Sequence, residues 1–404
     1  MKYDVIVVGG GPAGTSCAYM LSLSGAKVAL LDKALFPRDK ICGDALSLDV
    51  VKQLEWMHPI LADKFRQLED KLPSYGIRFV SPGGFKLDLP IIENGIPNCG
   101  YTCERTVFDH FLMEQLMANT KAEVFFNCQV KDVQVEASGV KIITDQGVFL
   151  ADAVVGADGA HSVVNKKTIN NLAEKLHFSA GLRQYYSNVT GFSNDQMIEL
   201  HFFRELLPGY FWIFPLPGNN ANVGLGVPSH VVSRKKLNLK KIFQNIIENE
   251  PSIRDRFSNA KPLEDIKGYG LPLGSKKRPV SAERVILTGD AAGLINPCSG
   301  EGIANALRSG RVGAGILLRA IEEKNFSAQS MKRYDRELYK RVWVELKISN
   351  IFKVLAGYPV LLDFLLRKAE KNSYVKAYLH QVMTDGYQWK FTSVLRFLFN
   401  LSFR

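Results

Sequence analysis

Short apolar runs that end at glycine or aspartate recur along the chain and predict buried parallel strands. Tyr3–Val8 runs into a glycine-rich turn, Lys27–Leu31 ends at Asp32, and Val285–Leu287 is followed closely by Asp290. Continuous apolar runs without alternation are typical of strands that are covered on both faces. Where a strand ends at an acidic residue next to glycines, backbone amides without side-chain cover and one carboxylate can contact a polar ligand.

The first of these strand ends carries a glycine fingerprint. Residues 9–14 read GGGPAG and fit the spacing G-x-G-x-x-G, with a helix predicted over about 12–24. Such glycines allow a tight turn, a close approach of pyrophosphate, and close packing of the helix whose amides face the anion. Asp32 follows Gly14 by 18 residues and suits the two hydroxyls of a ribose. The pattern predicts dinucleotide binding by Gly9, Gly11, Pro12, Ala13, Gly14 and Asp32, and is compatible with NAD or FAD.

A second set of strands is predicted over residues 76–80, 197–203, 210–214 and 222–227, separated by turns rich in proline, glycine and asparagine. A surface helix is predicted over about 240–250. Because residues two apart on a strand share a face, Tyr210, Trp212 and Phe214 line one side. This aromatic wall is interpreted either as ordinary sheet packing or as a surface for an apolar ligand.

Four further segments, with the fingerprint, resemble the para-hydroxybenzoate hydroxylase superfamily and, within it, the geranylgeranyl reductase family. The segments follow one another in the same order as in the family, and the resemblance spans about residues 3–320. They read FPRDKICGDAL (36–46), RTVFD (105–109), VVGADGAHS (154–162) and RVILTGDAAGLINPCSGEGIANALRSG (284–310). The resemblance implies an α/β fold in which a Rossmann-like FAD-binding domain is interleaved with an antiparallel-sheet substrate domain. The first would take residues 1–72, 101–170 and 280–330, the second 73–100 and 171–279, and a basic helical segment 331–404.

Two segments separate the reductases from their relatives. Aromatic hydroxylases usually follow Gly-Asp-Ala with Ala-His and later carry Gly-Gln-Gly, whereas this chain has Ala292-Gly293 and then Gly300-Glu301-Gly302. Flavin halogenases carry Trp-x-Trp-x-Ile-Pro on a central strand. Residues 208–215 read PGYFWIFP instead, as in the reductase pattern Pro-x-Tyr-x-Trp-x-Phe-Pro. The resemblance therefore implies that Tyr210, Trp212 and Phe214 contact an isoprenoid chain.

The resemblance also assigns cofactor contacts. It places the pyrophosphate at Gly9 to Gly14, the adenosine ribose at Asp32 and Lys33, adenine at the backbone of Val130, and further FAD contacts at Arg38, Arg105, Asp158, Asp290, Gly300, Gly302 and Ile303. Amides at the start of the helix at 303 would face the flavin edge that is negative when reduced. The family's arginine after the Asp-Gly pair is replaced by Asn165. No second nucleotide fingerprint is present, so the electron donor stays open between NAD(P)H and a small redox protein.

Reduction of an isolated double bond needs a hydride and a proton. The chain offers two candidates for the catalytic acid, Cys42 and Asp44. Cys42 is alternatively a small buried residue in a tight loop, and Asp44 is alternatively the cap of a helix over about 45–55. The proton donor is unresolved at this stage.

Charge is concentrated at the C-terminus. The net charge is +11, and residues 331–404 hold 14 Lys and Arg against 6 Asp and Glu. The segment 389–404 (WKFTSVLRFLFNLSFR) suits a helix lying on an anionic membrane, or equally one docked on the protein's own core. No apolar run is long enough to span a bilayer.

The remaining features exclude several classes. Six cysteines lie outside disulfide or metal spacing, and a signal peptide is not recognised, so we expect no metal and a cytoplasmic protein, at the inner membrane surface if the terminal helix binds lipid. The basic residues match no nucleic-acid recognition module. Nothing indicates an oligomeric state. The sequence favours an FAD-dependent reductase of isoprenoid double bonds; a flavin monooxygenase or halogenase and a membrane-binding flavoprotein without turnover are the alternatives.

Overall fold

The computed structural model describes residues 2–93, 95–171, 174–372 and 375–376 of the 404-residue chain. In chain order the strands are β1 (Lys2–Val8), β2 (Val28–Leu31), β3 (Ala45–Leu46), β4 (Leu72–Ser74), β5 (Gly76–Val80), β6 (Lys86–Pro90), β7 (Ile92–Glu93), β8 (Ile96–Pro97), β9 (Gly100–Thr102), β10 (Glu123–Phe125), β11 (Val130–Glu136), β12 (Gly139–Thr144), β13 (Gly147–Gly156), β14 (Phe178–Ser187), β15 (Ile198–His201), β16 (Tyr210–Leu216), β17 (Asn220–Pro228), β18 (Lys261–Pro262), β19 (Lys267–Pro272), β20 (Ser281–Ala282) and β21 (Val285–Leu287). The helices are α1 (Pro12–Leu23), α2 (Leu48–Met57), α3 (Pro59–Gln67), α4 (Arg105–Asn119), α5 (Val163–Lys167), α6 (Ser229–Lys235), α7 (Leu239–Asn249), α8 (Pro251–Arg254), α9 (Ile303–Glu322), α10 (Ala328–Ala356) and α11 (Pro359–Lys371).

The first large sheet contains the strands predicted from apolar runs. Its order is β10-β2-β1-β13-β12-β11, with β21 beside β13 and β20 beside β21. The pairs of β1 with β2 and β13, and of β13 with β21, are parallel. Parallel strands end at the same edge, so the residues after β1, β2, β13 and β21 come together there.

The second large sheet is mostly antiparallel. Its order is β18-β14-β17-β16-β15-β5-β6, with β19 also pairing with β14, and only β15 and β5 run parallel. The alternation predicted for the aromatic strand is present: Trp212 and Phe214 belong to one buried cluster, and Phe211 and Ile213 belong to another, on the face covered by α7. The two faces of this sheet therefore have separate cores.

The segment before α2 differs from the sequence expectation. Residues 45–46 form the short strand β3, which pairs with β9, and the helix begins only at Leu48 after Ser47. Asp44 is thus not the cap of this helix. It adopts a left-handed φ of 63° and is fully buried.

The described C-terminal helices lie against both sheets. Buried side chains of α10 join the core of the first sheet through Tyr334 and Leu338, and that of the second through Ile348. Among the described residues, no single helix is long and apolar enough to cross a membrane; α10 and α11 pass that test only as a pair bent by 114°. The predicted membrane helix at 389–404 lies outside the described residues.

Candidate active site

A single cavity of about 810 Å³ is lined by residues of both large sheets. All of the residues that the sequence analysis assigns to cofactor, catalysis or substrate line it, except Gly14. Gly14 lies under the glycine turn, where a Cβ atom would overlap the carbonyl oxygen of Gly9. The cavity therefore joins the glycine fingerprint, the two candidate acids and the aromatic wall in one space.

The glycine turn fits a dinucleotide pyrophosphate. Gly9 has a φ of 102°, and a Cβ there would overlap the carbonyl of Ala157. Gly11 is the N-cap of α1, and a Cβ on it would meet only the Arg38 guanidinium, at 3.6 Å. The helix thus begins at the cavity wall with its first amides available to an anion, over a surface without side-chain bulk.

The carboxylate of Asp32 is fixed by backbone amides. Gly10 N–H donates to one oxygen at 2.6 Å and Ala34 N–H donates to the other at 2.8 Å. Each carboxylate oxygen keeps a lone pair for a further donor. With Lys33 and Val130 also on the cavity wall, this end suits the ribose and base of an adenosine.

Two arginines share one buried aspartate. Arg105 donates two hydrogen bonds of 2.7 Å to Asp109, and Arg38 forms an ion pair of 2.9 Å with the same carboxylate. Burial opposes the charge of Arg105, but Asp109 and the Cys42 thiol together raise its pKa. Asp109 neutralises one of the two cations, so Arg38 and Arg105, which the resemblance assigns to FAD, together keep a single net positive charge for an anionic ligand.

The aspartates after β13 and β21 have different surroundings. Asp158 accepts hydrogen bonds from the Ser162 hydroxyl and the Val163 amide, at 2.5 and 2.6 Å, so it organises the start of α5; burial nevertheless raises its pKa. Asp290 faces the cavity and pairs with Lys40 at 3.2 Å. Asp290 is therefore the freer of the two for a ligand.

The helix α9 begins beside Asp290. Gly302 is its N-cap, and a Cβ on Gly302 would lie 3.5 Å from a carboxylate oxygen of Asp290. Gly300 has a φ of 72°, and Tyr210 donates a hydrogen bond to the neighbouring Ser299 carbonyl. The amides that open this long helix face the cavity, where they can hold the negative edge of a reduced flavin.

A hydrogen-bond network surrounds Asp44. Its Oδ2 accepts hydrogen bonds from the Tyr185 hydroxyl (2.5 Å) and the Asn222 amide (2.8 Å). Asn222 also donates to the Cys42 carbonyl and accepts from Trp212 Nε1, both at 2.8 Å. The loop of residues 42–44 is thereby attached to the second sheet.

Asp44 is an unusual carboxyl group. Burial raises its pKa to about 7, against the effect of Tyr185 and Asn222. Among the described residues its Oδ1 has no hydrogen-bond partner. The group therefore exchanges a proton near neutral pH, and Oδ1 is the oxygen left to carry it.

The side chains of the aromatic wall pack against one another and also face the cavity. The ring centroids of Tyr210 and Trp212 are 6.1 Å apart, and those of Trp212 and Phe214 are 6.0 Å apart. A Cβ on Gly43 would lie 2.9 Å from the Phe214 ring, so the loop of the candidate acids lies directly on this wall. The wall offers an apolar, electron-rich surface beside the two candidate acids.

Sequence reasoning missed several residues of the site. Tyr185 and Asn222 stand opposite each other on β14 and β17, in segments without a motif. Glu301 lies inside the Gly-x-Gly pattern; burial raises its pKa to about 7, and it accepts a hydrogen bond from Ser47. The position of Glu301 between Gly300 and Gly302 is the one sequence feature that could have indicated that it belongs to the site.

The cysteines are free thiols, with Cys17, Cys103 and Cys128 buried. Within the described ranges, no group of three or more His, Cys, Asp and Glu side chains is arranged to hold a metal ion. Asn165, which replaces the family arginine, donates to the carbonyls of Asn171 and Ala291. It thus connects the start of α5 to the loop after β21.

Two family domains and several relatives match this chain. Residues 2–180 match the FAD binding domain, and residues 179–268 match the geranylgeranyl reductase catalytic domain. A digeranylgeranylglycerophospholipid reductase of Methanosphaera stadtmanae is 31% identical over 374 residues, which cover 91% of this chain and 88% of that protein. A menaquinone reductase of Mycobacterium tuberculosis is 29% identical over 327 residues, with coverages of 78% and 76%.

Solved structures share the whole architecture. A geranylgeranyl bacteriochlorophyll reductase-like protein from Thermoplasma acidophilum superposes with a TM-score of 0.81 at 25% identity and covers 99% of both chains. The flavin-dependent brominase Bmp2 superposes with a TM-score of 0.78 at 18% identity, with coverages of 99% and 98%. The second likeness shows a common fold and nothing more.

Proposed function

This chain belongs to the geranylgeranyl reductase family of FAD-dependent oxidoreductases, and we propose that it reduces carbon–carbon double bonds of an isoprenoid lipid or isoprenoid diphosphate. The observation that carries the proposal is the position of Asp44, which shares one cavity with the glycine turn and the aromatic wall. When bound and reduced, FAD supplies the hydride that one alkene carbon accepts. The chain must then deliver a proton to the other carbon.

Asp44 is the proposed proton donor. It is protonated over a useful fraction of molecules near neutral pH because its pKa is about 7. Tyr185 and Asn222 hold Oδ2, so the protonated Oδ1 keeps one orientation. Its left-handed backbone costs an L-residue about 1–2 kcal/mol, a strain that is common at functional positions.

The aromatic wall is the proposed surface for the isoprenoid chain. Tyr210, Trp212 and Phe214 bury apolar carbon and exclude water from the double bond. Their ring faces also stabilise transient positive charge on a tertiary carbon as the proton arrives. The wall and Asp44 line the same cavity, which supports this proposal.

We also propose that the protein is cytoplasmic and makes peripheral contact with a membrane. Residues 331–404 carry most of the net positive charge. The bend between α10 and α11 exposes four large apolar side chains, which are Val354, Tyr358, Val360 and Phe364. Exposed apolar groups next to a basic segment are typical of proteins that dock on anionic lipid.

Product analysis tests the proposed reaction. The holoenzyme is reduced with dithionite under argon, a geranylgeranyl lipid or geranylgeranyl diphosphate is added, and products are examined by mass spectrometry. We expect hydrogens gained in pairs and no oxygen incorporated. Absence of reduction, together with oxygen uptake stimulated by an aromatic compound, would assign the protein to the monooxygenases instead.

The identity of the acid has its own test. Asp44→Asn is expected to slow single-turnover reduction by about 10²-fold or more, whereas Cys42→Ser keeps most of the activity. The wild-type rate should fall as pH rises through about 7, because Asp44 then loses its proton, and the variant should lack that decline. The opposite pattern, with Cys42→Ser inactive and Asp44→Asn active, would make the thiol the donor.

A further inference from the structure

Arg183 is a buried cation that one side chain connects to the candidate acid. It is fully buried on β14 and lines the cavity. Arg183 and Tyr185 are two residues apart on this strand and share a face, and the guanidinium carbon lies 3.9 Å from the centroid of the Tyr185 ring. The hydroxyl of that ring donates a hydrogen bond of 2.5 Å to Oδ2 of Asp44. A single aromatic ring therefore lies between the cation and the hydroxyl that holds the acid.

Ion pairs hold the guanidinium on the ring. Its Nη2 lies 2.8 Å from Asp39 and 3.0 Å from Glu264, and the Lys267 ammonium bridges the same two carboxylates at 2.8 and 2.7 Å. Asp39 lies between β2 and β3, and Glu264 lies between β18 and β19, so the pairs come from two parts of the chain. Within the described part of the chain, Nε and Nη1 of Arg183 have no hydrogen-bond partner. The ion pairs thus use one nitrogen of the guanidinium, and its face remains on Tyr185.

The charge states of Arg183 and Tyr185 are fixed near neutral pH. Burial opposes the charge of Arg183, but Tyr185 and the neighbouring carboxylates together raise its pKa. Burial, Asp44 and Glu104 raise the pKa of Tyr185, so its hydroxyl keeps the proton and stays a donor. Arg183 acts against this rise, since a cation on the face of the ring strengthens the hydroxyl as a hydrogen-bond donor. The pair therefore favours the ionised form of Asp44.

The other groups that surround Asp44 come from three elements or their flanks. Asn222 of β17 donates to Oδ2 at 2.8 Å. Arg105, the first residue of α4, lowers the pKa of Asp44, as Arg183 does, although burial is the larger effect. Burial and Asp44 raise the pKa of the Cys103 thiol, which therefore stays neutral. Arg183 is distinguished from Arg105 by its contact with a group that donates to the Asp44 carboxyl.

We propose that Arg183 is a positioning residue for proton transfer, which acts through Tyr185 to stabilise the carboxylate that Asp44 becomes when it protonates the substrate. The inference rests on the proposed function and deepens it. In that step the O–H bond at Oδ1 breaks and a C–H bond forms at one alkene carbon, while reduced FAD gives a hydride to the other carbon. The electron pair of the O–H bond stays on Asp44, and solvent water later returns a proton. Without the cation, the buried carboxylate would be less well compensated.

The pH dependence of single-turnover reduction tests the proposal on the holoenzyme. The variants are Arg183→Met and Arg183→Lys, with Arg256→Met as a matched control. Arg256 also lies over an aromatic ring, 5.5 Å from the centroid of Phe192, and pairs with Glu199 at 2.7 Å, but it is not one of the described residues that line the cavity. The control therefore removes a similar set of contacts away from the acid.

For Arg183→Met we expect a weaker acid. The rate at low pH should fall about threefold, and the midpoint of the decline should move from about 7 to about one pH unit higher, because Asp44 then keeps its proton to higher pH. Arg183→Lys should lie between Arg183→Met and the wild type, and Arg256→Met should keep the wild-type midpoint. An unshifted midpoint in Arg183→Met, or a raised KM as its only effect, overturns the proposal.

A double-mutant cycle tests the path through the ring. In a Tyr185→Phe background, Arg183→Met should shift the midpoint by half as much or less, because the ring then has no hydroxyl. An equal shift in both backgrounds overturns the role of Tyr185. Asp39→Asn keeps the proposal testable if Arg183→Met does not fold. It removes a carboxylate that compensates the guanidinium and should move the midpoint about half a pH unit lower, and an unchanged midpoint overturns the proposal.

Failure of the proposed reaction is recognised separately, because the wild-type enzyme would then reduce no isoprenoid. Infrared spectra of oxidised holoenzyme at a series of pH values then follow the C=O stretch of the protonated carboxyl, which Asp44→Asn identifies by its loss. A band that persists about one pH unit higher in Arg183→Met than in the wild type and Arg256→Met supports the inference. Equal midpoints in the three proteins refute it.

Discussion

Asp44 connects the loop of residues 42–44 to the second sheet. Its carboxyl joins Tyr185 and Asn222, and through Asn222 it joins Trp212 of the aromatic wall. Arg183 stacks on the Tyr185 ring with its guanidinium carbon 3.9 Å from the ring centroid, and it pairs with Asp39 and Glu264. The candidate acid is therefore oriented by residues that themselves have fixed positions.

The raised pKa of Asp44 has a consequence for stability. The folded protein holds this proton up to about pH 7, whereas the unfolded chain releases it near the ordinary aspartate pKa of 3.8. The contribution of Asp44 to stability is thus complete below that value and is lost as pH rises through about 7. We expect Asp44→Asn to melt about 2–4 °C above the wild type at pH 8, with a smaller difference at pH 5.

Thermal melts of the apoprotein at both pH values check this expectation. Asp195→Asn, at an exposed position, serves as the control and should show the same difference at both pH values. A lower melting temperature for Asp44→Asn at pH 8 would mean that the ionised carboxylate stabilises the fold.

Part of this network could be predicted from the sequence. Cys42 and Asp44 were found because they lie in a motif, but Tyr185 and Asn222 were not, because they meet only through the register of β14 on β17. Register depends on side chains far apart in sequence, and neither strand carries a local signal for it. The bidentate pair of Arg105 with Asp109 was likewise invisible, although both residues stand in one helical turn.

At the level of elements, α1 and α9 determine the shape of the cofactor end of the cavity. Both begin at the cavity wall, and they are in contact at Gly310, where a Cβ would overlap Ser16 and the carbonyl of Ala13. The positions of both helix starts therefore depend on one close approach.

A matched pair of glycine variants in α9 tests that dependence. Gly310→Ala is expected to cost roughly 1–3 kcal/mol, because the two helices must separate, and to increase the FAD lost during gel filtration. Gly315→Ala points into open space and should stabilise the helix by about 0.5–1 kcal/mol with FAD retained. Denaturant melts and the flavin-to-protein absorbance ratio provide the readouts, and equal effects of the two variants would contradict this view of the contact.

Elements with a clear period were predicted well, and the irregular ones were not. The strand at Tyr210 and the helix at Leu239 were found from local alternation and spacing, and the structure differs by only a few residues. Residues 45–47 have no period, and the predicted helix over about 45–55 therefore starts three residues earlier than the helix in the structure. Pairing of β3 with β9, which prevents that helix from starting earlier, is a long-range contact.

At the level of the whole molecule, the basic segment 331–404 includes the bend between α10 and α11 with its exposed apolar side chains. We expect the protein to sediment with anionic liposomes at low salt and to be released at about 0.5 M salt, since screening shortens the range of its positive field. Zwitterionic liposomes serve as the control. Equal binding to both, without salt dependence, would contradict an electrostatic contact, and removal of 389–404 shows whether that segment is required.

The attachment of residues 42–44 to the second sheet limits how the sequences of such proteins can evolve. The acid lies in the segment that matches the FAD binding domain, while both of its donors, Tyr185 and Asn222, lie in the segment that matches the catalytic domain. Substitutions at these positions in one segment consequently require compatible residues in the other segment. In a chimera that takes residues 179–268 from a relative, the Asp44 carboxyl keeps both hydrogen bonds only if the incoming sequence has a donor at positions 185 and 222. Substitutions in the two segments are therefore linked through the Asp44 carboxyl.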